Sequence, residues 1–457
     1  MTKVRSRVAA ALALAAALTA SACGLGSTSA SGPTTVAQVP QLGPDQQVSL
    51  VFESYNFGQA GAWTDTFNDL ITKFQQAHPN IHVKAQKPQG NSPNPATDAV
   101  SSVQAQLAAG SPPDVAQLGF GDLDFAIHGL GAKPLDDLVG KDAVQANFNG
   151  AKYPYAPAAK PLGDWDGKTY GMPFVFSTPV LYYNASLFQQ AGLDPSKPPT
   201  TWDEVATDAA AIKNVTHKDG VYIDALSKES KDYFFQALVR SNGGRVISPD
   251  RKSLTFADPA TVQVVQMGQN LVNAGSTPKL GQVQAYTEFA RGDMGMILET
   301  SAIQATFVKG ATGKWDLRSA AMPSFAGKPA IPTNSGSALF VLSNDPAKQR
   351  AAWELTKFLT SEEAFTEITS KIGYLPLRTG LLDDPAYLKD WAARNPLIKP
   401  NVEQLSRMEP WVSFPGNSYT QIMQGMMDAV EKSVYQGADP ASTLSAAQAQ
   451  ASTLMPK

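Results

Sequence analysis

One cysteine and four histidines are all the thiol and imidazole groups that 457 residues provide. Cys23 has no second cysteine to pair with, so no intramolecular disulfide holds the chain and its stability must come from a sizeable apolar core. His78 and His82 have the four-residue spacing of a helical metal pair, but Pro79 lies between them and ends any helix there. His128 and His217 are isolated. Without a cysteine partner or an HExxH pattern, no metal site is expected. Charge of one sign is lacking too: 37 Lys and Arg face 40 Asp and Glu, a net of −3. That balance excludes a strongly basic surface for nucleic acid.

Catalytic constellations are equally sparse. Gly336-Ser337-Ala338 lacks the second glycine of a nucleophile elbow. Gly119-Phe120-Gly121 begins like a dinucleotide fingerprint, yet Asp124 stands where the third glycine belongs. Carboxylate pairs such as Asp122 and Asp124, or Asp383 and Asp384, have the makings of a glycosidase site, although acidic residues on solvated loops are far commoner. Catalytic chemistry is not what these residues advertise, and no cofactor is expected. A secreted carbohydrate-active enzyme and a sensor or adhesion lipoprotein stay open as functions.

What the sequence does have begins at its amino terminus. Lys3, Arg5 and Arg7 precede an apolar stretch from Val8 to Ala20, which is too short to span a bilayer and fits the core of a secretory signal. It ends in Ala20-Ser21-Ala22-Cys23. This stretch resembles a bacterial lipobox, with Ala20 where leucine is usual, and implies a diacylglycerol on Cys23. Several acyl chains, at about 0.8 kcal/mol per buried CH₂, would anchor the protein to the outer face of the bacterial cytoplasmic membrane. Residues 1–22 are thus expected to be a signal peptide. Residues 23–47, rich in Gly, Ser, Thr, Ala and Pro, cannot bury enough surface to fold and form a flexible tether. Without the leader, Lys plus Arg falls from 37 to 34 against 40 Asp plus Glu, and the net charge to −6.

From Val48 onward the pattern is α/β. Val48–Glu53 is strand-like. The stretch Asp65–His78 places Phe67, Leu70, Ile71 and Phe74 at helical spacing, and Ile81–Lys84 alternates like a second strand. Val100, Val103 and Leu107 mark a helix ending at Gly110, and Pro113-Asp114-Val115 opens another strand. Thr201–Glu204 and Thr360–Glu363 have the spacing of capping boxes. In "GMPFVFSTPVLYYN", Gly171–Asn184, the apolar run Val180–Tyr183 suggests a strand covered on both faces, of the kind usual in parallel sheets. Pro173 and Pro179 suit a chain arriving at a sheet, not one inside it. The stripe Ile422, Met423, Met426, Met427, Val430 and Val434 near the carboxyl terminus, like Trp202 and Trp353, reads as core. Trp63, in the loop after the first strand, and Trp411, in "MEPWVSFPGNSY", are placed to stack on a sugar face or a cationic head group.

Four stretches together resemble the periplasmic binding proteins that feed ABC importers, in the maltose and glycerol-3-phosphate group and especially its glycerol-3-phosphate-binding branch. They are "PFVFSTPVLYYNASLFQQAGLDPSKPPTTWDEV" (Pro173–Val205), "EFARGDMGMILETSA" (Glu288–Ala302), "TNSGSALFVL" (Thr333–Leu342) and "IGYLPLR" (Ile372–Arg378). The resemblance implies a two-lobed α/β fold closing on a small-molecule solute by rotation about crossing segments near Pro173–Pro179 and Pro323–Thr333. It also implies permease membrane subunits as partners and a monomeric binding protein. Lobe 1 is expected at 48–173 and 320–360, and lobe 2 at 174–319 and 361–457. Carried over by position, Ser177, Ser301, Gly336 and Tyr374 fall on ligand-contacting places. Four positions depart. "NPATD" near Ala96 stands where a tyrosine is usual, and Phe120 replaces a carboxylate, with Asp122 two residues on. Tyr233 and Phe234 take the place of paired tryptophans, and Lys399 that of an arginine. These departures point to a saccharide or glycerophosphate-derived polyol, with a neutral saccharide favoured over glycerol 3-phosphate because lysine cannot grip phosphate bidentately.

Overall fold

Residues 38–59, 62–92, 95–150, 152–230 and 232–456 are described by the computed structural model. The signal sequence, Cys23 and most of the expected tether therefore lie outside the described residues. Eleven strands form among the described residues. In chain order they are β1 (Val48–Glu53), β2 (Ile81–Gln86), β3 (Val115–Gly119), β4 (Asp164–Trp165), β5 (Lys168–Thr169) and β6 (Gly171–Ser177). Then follow β7 (Pro179–Asn184), β8 (Asp219–Ile223), β9 (Met294–Thr300), β10 (Leu317–Ala321) and β11 (Ser335–Val341).

Two sheets carry the architecture. The first has the order β2-β1-β3-β11-β6 and the second β10-β7-β9-β8, with β4 and β5 forming a separate small hairpin. In the first sheet β1 runs parallel to β2 and β3, whereas β11 is antiparallel to both β3 and β6. The sheets are thus two lobes, and the chain passes between them at Thr178, the single residue separating β6 from β7. It returns between Ala321 and Ser335. Sheet membership moves the expected lobe boundaries. All of β6 through Ser177 belongs to the first sheet, and β10 at 317–321 to the second. The helix Glu362–Ile372, expected in lobe 2, packs on the first lobe's helix Ala62–Ala77.

Local signals explain most elements. The helix Ala62–Ala77 buries Phe67, Leu70, Ile71 and Phe74 against the first sheet's core, each contributing about 1.5–3 kcal/mol of burial. Thr201 Oγ1 accepts from Glu204 N at 3.2 Å and Glu204 Oε2 accepts from Thr201 N at 3.1 Å, the reciprocal capping box read from the sequence. At the second such signature the cap is one residue later. Ser361 Oγ accepts from Ala364 N at 3.2 Å, while Thr360 Oγ1 donates back to the Thr356 carbonyl and closes the preceding helix.

Two expectations for "GMPFVFSTPVLYYN" change. Val180–Tyr183 is fully buried, but β7 is antiparallel to both neighbours, β10 and β9. Burial on both faces comes from flanking helices and does not require parallel strands. Pro173 lies inside β6, not ahead of it. It is tolerated because β6 is an edge strand and the β6–β11 register shifts at Ser337/Ala338, where a proline's missing N–H costs no ladder bond. Opposite this irregularity Gly336 takes φ +121°, and a Cβ there would run into the Val175 carbonyl, so only glycine fits. Of the expected core stripe, Ile422, Met426, Met427, Val430 and Val434 are buried, while Met423 is half-buried against the core. Trp202 and Trp353 are buried as well. No described helix is long and apolar enough to cross a membrane.

Candidate functional site

Where the carboxyl ends of the first sheet's strands meet the second lobe, a cavity of about 620 Å³ opens. Its first-lobe wall is set by buried hydrogen bonds at the strand ends. Gln117, in β3, accepts from Asn56 Nδ2 at 2.9 Å and donates to Ser337 Oγ at 2.7 Å, and Ser337 also accepts the Tyr55 hydroxyl at 3.1 Å. This network fixes the Tyr55 ring at the rim. Trp63 stands in the first turn of the helix Ala62–Ala77, not in a loop, and meets Tyr374 edge-on with ring centroids 5.1 Å apart. The Leu375 amide donates to the Phe176 carbonyl at 2.9 Å, holding Tyr374 beside the crossing strand β6. Burial pushes the Tyr374 hydroxyl well above its ordinary range, so it is a neutral hydrogen-bonding group.

The second lobe supplies the opposite wall. Tyr233 packs against Trp411 at 5.8 Å. Trp411 donates through Nε1 to Asp232 Oδ1 at 3.0 Å, and Asn334 Oδ1 accepts the Trp411 amide at 2.9 Å. At the end of β9, Glu299 and Thr300 face the cavity, and Gln282 and Tyr286 reach it from the preceding helix, Gln282–Arg291. Glu299 Oε1 accepts from the Thr300 amide at 2.8 Å. Burial, and then the charge of Asp224, push the Glu299 carboxyl well above the usual carboxylate range.

Six of the nine residues expected from the sequence to contact ligand line this cavity, Trp63, Ser177, Tyr233, Gly336, Tyr374 and Trp411, and so does Ala96. Asp122 lies next door, lining a smaller cavity of about 120 Å³ that shares Trp411 as a wall. Its carboxylate accepts the Tyr419 hydroxyl at 2.8 Å and the Gly119 amide at 2.9 Å, which makes it a clamp on the end of β3. Ser301 does not line the cavity. It is 1% exposed in the turn after β9, while its neighbours Thr300 and Ala302 face the opening. Lys399 is a clear departure from expectation: its side chain is 76% exposed at the start of the helix Lys399–Gln404, 3.8 Å from Glu403, and it does not line the cavity. The alignment by position failed there because the segment 396–404 turns outward to brace the crossing, with Asn401 and Gln404 inward and Lys399 outward. Thr178 donates to Asn401 Oδ1 at 2.9 Å, and Gln404 Nε2 donates to Thr178 Oγ1 at 3.1 Å.

Sequence reasoning missed Tyr55, Gln282, Tyr286, Glu299 and Thr300. Only Glu299 carried a readable signal, a carboxylate ending the continuous apolar strand "MGMIL". Among the described residues that line the cavity there is no Lys or Arg, and the two charged ones, Glu229 and Glu299, are both acidic. No group of described side chains has the makings of a metal site. The arrangement suits holding an aromatic-stacked, hydroxyl-bearing molecule between two walls.

Comparison with known proteins agrees with this geometry. The sn-glycerol-3-phosphate-binding periplasmic protein UgpB of Pectobacterium atrosepticum is 30% identical over 223 residues, 47% of this chain and 49% of that protein. The chain spans about half the length of the curated relatives of this kind that it matches. Among solved structures, UgpB of Mycobacterium tuberculosis in complex with glycerophosphocholine superposes with a TM-score of 0.75 at 22% identity, covering 89% of this chain and 98% of that one. The GacH receptor of Streptomyces glaucescens, solved unliganded and with acarbose, gives 0.73 at 22% identity, covering 90% and 98%. Both share the two-lobed fold. The model for bacterial extracellular solute-binding proteins matches residues 69–395, and the chain belongs to that family.

Proposed function

We propose that this chain is the capture subunit of an ABC importer, a monomeric lipoprotein held through Cys23 on the outer face of the bacterial cytoplasmic membrane. It binds a saccharide, or a polyol derived from a glycerophosphate, between its lobes and delivers it to the permease membrane subunits. The observation that carries the solute class is the cavity's chemistry: ring faces of Trp63, Tyr233, Tyr374 and Trp411, hydroxyls of Ser177 and Thr300, and no Lys or Arg among the described lining residues. Aromatic faces hold the apolar face of a sugar ring, and hydroxyls and carboxyls hold its hydroxyl groups. A phosphate would want a guanidinium fork, which the described lining does not offer.

A thermal-shift screen of sugars, polyols and glycerophosphodiesters tests the reading. A ligand at 100 times its Kd adds about 2.7 kcal/mol to stability, a readily measured rise in Tm. A rise with neutral saccharides supports it; a rise with glycerol 3-phosphate alone overturns the neutral-solute assignment. Turnover of any glycan by the purified protein would favour the enzyme alternative.

A further inference from the structure

At the second-lobe wall sit two buried carboxyls, each with one oxygen left without a hydrogen bond. Glu299 and Asp224 are each 1% exposed and lie within hydrogen-bonding reach of one another. Glu299 Oε1 accepts from the Thr300 amide and Asp224 Oδ2 from Gln282 Nε2 at 2.9 Å, and the hydroxyls of Tyr286 and Ser230 lie within hydrogen-bonding reach of Glu299 and Asp224 respectively. The other two carboxyl oxygens, Glu299 Oε2 and Asp224 Oδ1, are buried with no hydrogen bond. Neither carboxyl has an ion pair with Lys, Arg or His among the described residues. The titratable groups facing them are Glu229 from the adjoining loop and the hydroxyls of Tyr182, Tyr222, Tyr233, Tyr286 and Tyr435, from the strands and helices packed around them. None of these is cationic. Two bare carboxylates cannot persist in such a place, whereas one added proton satisfies both orphaned oxygens at once.

We propose that Asp224 and Glu299 hold a single proton between Asp224 Oδ1 and Glu299 Oε2 at neutral pH, and that this pair is a specificity-determining wall selecting an uncharged, hydroxyl-bearing ligand. The second half of the proposal rests on the saccharide reading above. Burial raises the Asp224 carboxyl to about 6 and pushes the Glu299 carboxyl well above the usual carboxylate range, in keeping with a retained proton. The pair then carries one negative charge, which disfavours an anionic ligand. Dissociation of the proton leaves two adjacent carboxylates that repel. Glu299 holds the Thr300 amide, and the Thr300 hydroxyl donates to Ser177 Oγ at 2.6 Å, so movement of Glu299 disturbs the cleft where the lobes join.

Infrared difference spectra of the ligand-free full chain against Glu299→Gln test the proton directly. The amide introduced by Glu299→Gln can donate to Asp224 Oδ1 at any pH and so mimics the protonated pair. A protonated-carboxyl carbonyl band in the wild type near neutral pH, lost in Glu299→Gln, is expected; its absence overturns the shared proton. Asp224→Asn serves the same comparison should Glu299→Gln fail to fold. With maltose as probe, wild-type affinity should fall at least tenfold between about pH 6 and about pH 9 and stay flat in Glu299→Gln. Maltose affinity in the wild type that does not change with pH overturns the specificity role. A band present with no maltose binding at any pH supports the proton and overturns the saccharide reading together with the specificity role that rests on it.

Discussion

The Thr300 hydroxyl donates to Ser177 Oγ at 2.6 Å, joining the last residue of β9 in the second lobe to the last residue of β6 in the first. The bond lies at the cleft, one residue before the chain crosses at Thr178. Replacing Ser177 with Ala removes the acceptor and leaves both strands intact. A neutral hydrogen bond contributes about 1 kcal/mol, so ligand Kd should rise roughly fivefold while Tm moves little. Calorimetric titration of the variant checks this; an unchanged Kd would mark the bond as a bystander.

Trp411 is a wall shared by two cavities, and Gly121 lies flat against its indole, where any Cβ would collide with the ring. Trp411→Ala should cost about 3–5 kcal/mol of stability, as expected for an aromatic removed from a packed site, and abolish ligand binding. Gly121→Ala should displace the same ring, weakening binding with a smaller loss of Tm. Binding that survives both changes would remove Trp411 from the site.

Lys399, exposed and loosely paired with Glu403, has no route to the cavity. Lys399→Ala should change neither affinity nor stability by more than about 0.5 kcal/mol, the range of exposed ion pairs. A tenfold loss of affinity would contradict its outward placement and restore the role that alignment by position suggested.

Asp208 is half-buried on the helix Trp202–Thr216, and burial, followed by the charge of Glu204, pushes its carboxyl up to about 6. A carboxyl raised above its unfolded value binds its proton more tightly when folded, so stability falls as pH rises from about 4 through about 6. Asp208→Asn should therefore stabilise at pH above about 7 by about 1 kcal/mol, after allowance for solvent screening, and do nothing near pH 4. Melting curves at both pH values decide it; an equal gain at both would point to packing and not to charge.

Cys23→Ala should move the protein from the membrane fraction into the medium, because one residue carries every acyl chain of the proposed anchor. Fractionation followed by immunoblotting reads the result. A variant that stays with the membrane removes the lipid anchor from the proposal.

Much was legible in the order of residues alone, for reasons that are local. The 3.6-residue spacing of Phe67, Leu70, Ile71 and Phe74, the Thr201–Glu204 cap and the apolar runs of β6 and β7 each depend on residues within a few positions of one another. Gly336 was reached by carry-over from the family, and its φ of +121° supplies the physical reason that glycine stands there. Chain order alone, however, placed Pro173 before a strand and took β7 to be parallel. Which strand pairs with which depends on chain returns more than a hundred residues away, such as β11 inserting between β3 and β6.

By itself, then, the sequence determined an α/β pattern with a large apolar core, and its resemblance to the binding proteins implied two lobes with crossings near Pro173–Pro179 and Pro323–Thr333. Tertiary structure decided which polar groups face the cleft. Lys399 and Asn401 stand two residues apart on one short helix, yet one reaches solvent and the other a buried hinge bond to Thr178. Asp224 and Glu299 are 75 residues apart, on adjacent strands' ends, and only the parallel pairing of β8 with β9, Ile223 opposite Leu298, brings their carboxyls together. A side chain's electrostatic role is set by what surrounds it in three dimensions, and no spacing along the chain encodes that directly.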